Sequence, residues 1–73
     1  MTQRDIKRAF GLRVRELRAE RGWSQEETAE ATGLHWTYIG QVERGERNLT
    51  LLSIQKIAKG FKIEIRELFK GLG

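Results

Sequence analysis

The chain has 73 residues, 38% hydrophobic and 33% charged, and a formal net charge of +4. A chain this short forms one small domain over residues 1–73 and buries only about 60% of its unfolded surface, so its core is marginal. It has no Cys, which excludes a disulfide staple and a thiolate metal site, and it lacks any long apolar run or signal segment, so a cytoplasmic location is expected and a membrane partner is not.

The periodicity predicts five helices and no strand. Helix 1 covers Arg4–Glu20, where Ile6, Phe10, Val14 and Leu17 recur at helical spacing on one face. Residues 1–21 hold seven basic side chains (Arg4, Lys7, Arg8, Arg13, Arg15, Arg18, Arg21) against Asp5, Glu16 and Glu20, an excess equal to the whole net charge. A solvated face with local pairs such as Asp5 with Arg8 explains most of them better than direct contact with a ligand. Arg21-Gly22 ends the helix.

Helix 2 covers Gln25–Thr32. Ser24 and Glu27 have the spacing of a capping box, and Ala29 gives a small inner face. Gly33 takes the positive φ that a turn requires. Helix 3 covers Trp36–Arg44 with Ile39 and Val42 inward, and Gly45 closes it. Helix 4 starts after Thr50, a plausible N-cap, with Leu51, Ile54, Ile57 and Ala58 on one face and Gly60 near its end. Helix 5 covers Ile63–Leu68, with Ile65, Leu68 and Phe69 apolar. The expected core is Phe10, Val14, Leu17, Trp23, Ala29, Ile39, Val42, Leu51, Ile54, Ile57 and Leu68. No Pro forbids this all-α reading.

The pattern Q-x-x-x-A-x-x-x-G-x-x-x-x-x-I-x-x-x-E-x-G from Gln25 to Gly45 resembles the helix-turn-helix of the phage repressor/Cro (XRE) family. The run HWTYIGQVERGERN further resembles the controller proteins of restriction–modification systems. The resemblance spans roughly Phe10–Phe69. It implies a compact five-helix bundle and a transcriptional regulator that binds double-stranded DNA, as a homodimer on a palindromic operator. A controller acting on its own promoter fits such a chain. It also implies an ion pair between Glu43 and Arg18.

In this motif the N-terminus of helix 3 enters the major groove. Trp36, Thr37, Gly40 and Gln41 lie opposite Ile39 and Val42. Trp36, Thr37 and Gln41 are the expected base contacts, Gln41 pairing bidentately with adenine and Thr37 bonding or placing its methyl on thymine. Gly40, a poor helix former, suggests close approach of something, with DNA the candidate and neutral drift the alternative. Trp36 stands where controllers usually have Arg, so it reads DNA by packing or is shielded by a neighbouring helix or subunit. By resemblance Arg47 is a base or minor-groove contact, and Gln25 and Asn48 are backbone contacts. His35, Tyr38, Arg44, Thr50 and Ser53 join the backbone set. For these the competing readings are helix caps, a solvated loop and, for Tyr38, packing beside helix 2.

The chain departs from the family at several positions. Trp23 replaces a usual Leu, Thr28 a core Leu and Leu49 a common Pro, while Lys62 stands where many members have Gly. Leu12 and Leu52 stand where polar residues are usual. Leu52, Phe61, Ile63, Ile65 and Leu72 form a candidate self-association patch, against the alternative of scattered surface apolar groups.

A lone His35 without Cys or a second His is no zinc site. No second acid or nucleophile accompanies Glu43, so an enzyme is not expected, nor is a cofactor or a small-molecule ligand. The alternative from another class is an antitoxin-type module that neutralises a toxin, for which the chain supplies few residues beyond the bundle.

Overall fold

The computed structural model describes residues 1–72. Helix α1 spans Gln3–Glu20, α2 Gln25–Thr32, α3 Trp36–Glu43, α4 Leu51–Phe61 and α5 Ile65–Leu68. Helix α1 packs on α3 and α5, α2 packs on α3 and α4, and α4 packs on α5.

Helix ends follow local chemistry. Thr2 caps α1 through a second capping box, its Oγ1 accepting from the Asp5 N–H at 3.1 Å and the Asp5 carboxylate accepting from the Thr2 N–H at 3.3 Å. Asp5 is therefore engaged in the cap, and the expected Asp5–Arg8 pair is absent among the described ion pairs. Arg13 pairs with Glu16 instead. Ser24 and Glu27 form the expected box at 2.9 and 3.0 Å. Gly33 caps α2 at φ 74°, in the left-handed region. Lys62, the only described non-Gly residue with positive φ, caps α4 at φ 59°. A side chain there costs about 1–2 kcal/mol relative to Gly.

The core joins Phe10, Val14, Leu17, Val42, Ile57, Ala58, Phe61 and Leu68. Trp23 and Ile54, expected in the core, are half-buried against it, while Ala29 and Ile39 are buried as expected. Two expectations fail in α4. Leu51 is 86% exposed, and Phe61, assigned to the self-association patch, is only 2% exposed. The buried stripe of α4 runs Ile54–Ile57–Ala58–Phe61, so its anchor is the last turn. Leu51, the first helical residue, lies beyond the edge of the core. Phe61 is closed in by the Trp23 ring, stacked at 5.7 Å, and by the Arg21 guanidinium at 4.9 Å. Ile63 and Leu72 are likewise packed against the core as half-buried residues, whereas Leu52 and Ile65 are exposed.

Thr28, which stands where the family usually has a core Leu, is fully buried. Its hydroxyl donates to the Ser24 carbonyl at 2.9 Å, and Thr32 does the same to Thr28 at 2.8 Å. Each burial cost is thereby met within α2 itself. Where α1 crosses α3, Gly11 is required. A Cβ there would lie 2.3 Å from the Val42 carbonyl oxygen and 2.7 Å from that of Glu43.

Candidate nucleic-acid interface

Helix α3 is held from below by Ile39 and Val42, both almost fully buried. Its angle to α1 is set by a partly buried ion pair. Arg18 Nε donates to Glu43 Oε2 at 2.7 Å, and Arg18 Nη2 to Oε1 at 3.0 Å. Their side chains are 19% and 5% exposed. Arg18 Nη1 also donates to the Trp23 carbonyl, which ties the α1–α2 corner into the same unit. The hydrogen bond to Glu43 raises the Arg18 pKa above its ordinary value, against the opposing effect of burial. Such a bidentate pair specifies geometry more than it adds net stability.

Gln25 joins this network. Its Nε2 donates to Glu43 Oε1 at 3.2 Å, so a residue in the first turn of α2 is oriented by the C-terminal residue of α3. Gln25 and Arg44 both border Gly40. That glycine is buried, and a Cβ there would meet Arg44 Nη1 at 3.2 Å and Gln25 Oε1 at 3.4 Å. The atoms nearest to that position are the tips of this chain's own side chains.

His35 is the N-cap of α3. Its Nδ1 accepts from the Thr37 N–H at 3.1 Å, which leaves Nε2 as the ring's donor. The Trp36 ring stacks on His35 at 5.8 Å and is 55% exposed. No neighbouring helix of the chain shields it. Thr37 is exposed beside it. The first turn of α3 thus presents an uncovered aromatic face and a hydroxyl.

The far end of the helix is organised differently. Tyr38 is half-buried, and the Arg47 guanidinium lies 4.8 Å from its ring centre. Arg47 Nε donates to Gln41 Oε1 at 2.9 Å. The Gln41 amide is therefore engaged on its carbonyl side, and its NH2 group is left to donate. Arg44 pairs with Glu46 at 2.9 Å, both side chains exposed. That contact raises the Arg44 pKa and lowers that of the Glu46 carboxyl, in each case chiefly through the hydrogen bond between them.

Thr50 caps α4, its Oγ1 accepting from the Ser53 N–H at 3.1 Å and donating to Ser53 Oγ at 3.1 Å. Asn48 is exposed in the α3–α4 connection. The expected DNA-contact residues thus fall into four sets, with Asn48 apart from them: His35 with Trp36 and Thr37; Gln25 with Arg44 around Gly40; Tyr38 with Gln41 and Arg47; and Thr50 with Ser53. Sequence reasoning missed the engagement of Gln41 by Arg47 and of Arg44 by Glu46. Both join the C-terminal part of α3 to the chain that follows it, where helical periodicity says nothing about which side chains meet.

The helix-turn-helix family (HTH_3) matches residues 14–68. Control protein C.SmaI from Serratia marcescens is 44% identical over 69 residues, which cover 94% of this chain and 82% of that protein. Control protein C.BamHI from Bacillus amyloliquefaciens is 40% identical over 65 residues, covering 88% of this chain and 80% of that one. Among solved structures, the restriction-modification controller protein C.AhdI from Aeromonas hydrophila is similar with a TM-score of 0.82 and 51% identity, covering 89% of this chain and 97% of that one. The chain belongs to the helix-turn-helix family of DNA-binding transcriptional regulators, and its relatives include the control proteins of restriction–modification systems.

Proposed function

We propose that this protein is a cytoplasmic, non-enzymatic restriction–modification controller that binds, as a homodimer, a two-fold symmetric operator in its own promoter. The observation that carries this reading is the uncovered first turn of α3. There Trp36 and Thr37 project from a helix whose opposite face is anchored by Ile39 and Val42. A rigid helix with an exposed N-terminal turn is the geometry that major-groove reading requires. The likeness to C.AhdI and C.SmaI supports the controller role.

In this reading Trp36, Thr37 and Gln41 meet base edges, with Arg47 beside Gln41. Gln25, Asn48 and the Nε2 of His35 meet phosphates. Tyr38 supports Arg47 and borders the backbone. Arg44 contacts phosphate only when it leaves Glu46. Thr50 and Ser53 present the capped N-terminus of α4 to the strand, where backbone N–H groups and the helix dipole favour an anion. Exposed Leu52 and Ile65, with Leu51 and Phe69, supply apolar surface for a second copy. The half-sites then lie about 10–10.5 bp apart, centre to centre.

Selection of bound sequences from a random duplex pool tests the reading, followed by titration of the winner against salt. A palindromic consensus is expected. Log K should fall with log salt by about 0.9 per phosphate neutralised. A pool that yields no enriched sequence, or binding that ignores salt, overturns it.

A further inference from the structure

The base-reading face of α3 contains a pair that acts as one group. We infer that Arg47 is a positioning residue for Gln41, and that the two side chains together select guanine over adenine in the major groove. The inference rests on the proposed placement of α3 in the groove.

Its basis is the contact between Arg47 Nε and Gln41 Oε1 at 2.9 Å, together with the seat of the Arg47 guanidinium on Tyr38 at 4.8 Å. A guanidinium only donates, so the Gln41 atom that faces it must be the carbonyl oxygen. The amide orientation is thereby fixed by chemistry. Tyr38 belongs to the same helix as Gln41, so its ring gives the planar Arg47 a fixed platform against which to hold that oxygen.

Adenine reading by Gln requires the same oxygen to accept from the adenine N6 amino group while the amide nitrogen donates to N7. Here one lone pair of that oxygen is taken by Arg47, and a positively charged donor stands beside it. An incoming amino group meets a donor. Guanine offers two acceptors, N7 and O6, on the same edge. The Gln41 amide hydrogens and the remaining Arg47 N–H groups offer donors alone, which match guanine and mismatch adenine. Arg47 also lowers the ordering cost of Gln41, since the amide is held before DNA arrives.

The test measures binding at one fixed salt concentration to the selected duplex and to its variants at the base pair that Gln41 governs. Five proteins are compared: wild type, Gln41→Ala, Arg47→Ala, the double variant and Gln41→Glu. Melting temperatures confirm folding, which exposed Arg47 and half-buried Gln41 should not disturb. Wild type should prefer guanine to adenine there by about 10-fold. Either Ala substitution should abolish that preference, and the double variant should lose no more of it than the single ones. Gln41→Glu keeps an acceptor for Arg47 but replaces the amide donor by an acceptor, so its guanine preference should weaken and move towards cytosine, whose N4 amino group donates. Arg47→Ala that keeps a guanine preference within two-fold of wild type overturns the inference and leaves the α3 reading standing. So does a wild-type preference for adenine. Gln41→Ala that leaves discrimination unchanged at every base pair overturns the placement of α3 itself, and this inference with it.

Discussion

The segment Ser24–Arg44 and the segment Thr50–Leu68 are held by different forces. In the first, buried and partly buried polar side chains are paired. Thr28 and Thr32 bond within α2, and Gln25 and Glu43 are joined to Arg18 of α1. No buried side-chain nitrogen or oxygen lacks a partner among the described residues. In the second, Ile57, Ala58, Phe61 and Leu68 make an apolar seam, and Leu51, Leu52, Ile65 and Phe69 are left outside it. In the proposed function the difference separates two tasks. A directional network fixes angles, which a reading helix needs. A seam with apolar surplus fixes no unique angle outside the chain, yet it gives association a driving force.

The largest effect should come from the contact that lets α1 approach α3. Gly11→Ala places a methyl 2.3 Å from the Val42 carbonyl oxygen, with only backbone atoms to give way. Overpacking of this kind costs about 2–3 kcal/mol. That corresponds to a fall of roughly 10–20 °C in melting temperature for a chain of this size, read by circular dichroism. A melting temperature near wild type would mean that the helices slide apart freely.

Breaking the polar network comes next. Glu43→Ala leaves Arg18 and Gln25 without their shared partner, and should cost about 2–3 kcal/mol, below the fully buried range because Arg18 retains some solvent. DNA affinity should fall further than folding alone accounts for, since Gln25 loses its orientation. Equal losses in stability and in affinity would reduce the network to a structural staple.

The apolar segment is broken without touching the reader. Leu52→Ser with Ile65→Ser should shift sedimentation equilibrium from dimer to monomer at micromolar concentration while leaving the folded protomer intact, because both side chains are exposed in it. Operator affinity should then drop at least about 10-fold, as half-sites bind singly. A dimer that survives both substitutions places the interface elsewhere.

Gln25→Ala should weaken every duplex by a similar factor, about 3- to 10-fold, because phosphates carry no base identity. The salt slope should be unchanged, since no charge is lost. The smallest effect belongs to the exposed Arg44–Glu46 pair. Glu46→Gln should tighten binding to all duplexes about two-fold by releasing Arg44 to phosphate and removing a repelling charge. Arg44 holds the Glu46 carboxyl below its ordinary range, so the pair is intact at neutral pH. It is lost as pH falls through that lowered value, where wild type should approach the variant.

Helix count, the α2 capping box, the Gly33 turn and the inward faces of α1 and α3 were legible in the sequence, because each depends on neighbours within four residues. The family resemblance pointed to the Arg18–Glu43 pair and to helix α3 as the reader. Other features came only from tertiary packing. Phe61 and Leu51 are both apolar and both belong to α4, but only the docking of its last turn between Trp23 and Arg21 decides which is buried. The buried state of Gly40 and the linkage of Gln41 to Arg47 join residues across a turn or a helix end, where no period applies. Local sequence determined which segments are helical and which face turns inward, since those choices rest on short-range sterics and hydrogen bonds. The three-dimensional fold decided which polar groups are engaged within the chain, since that depends on which charged side chains the packing brings within reach of one another.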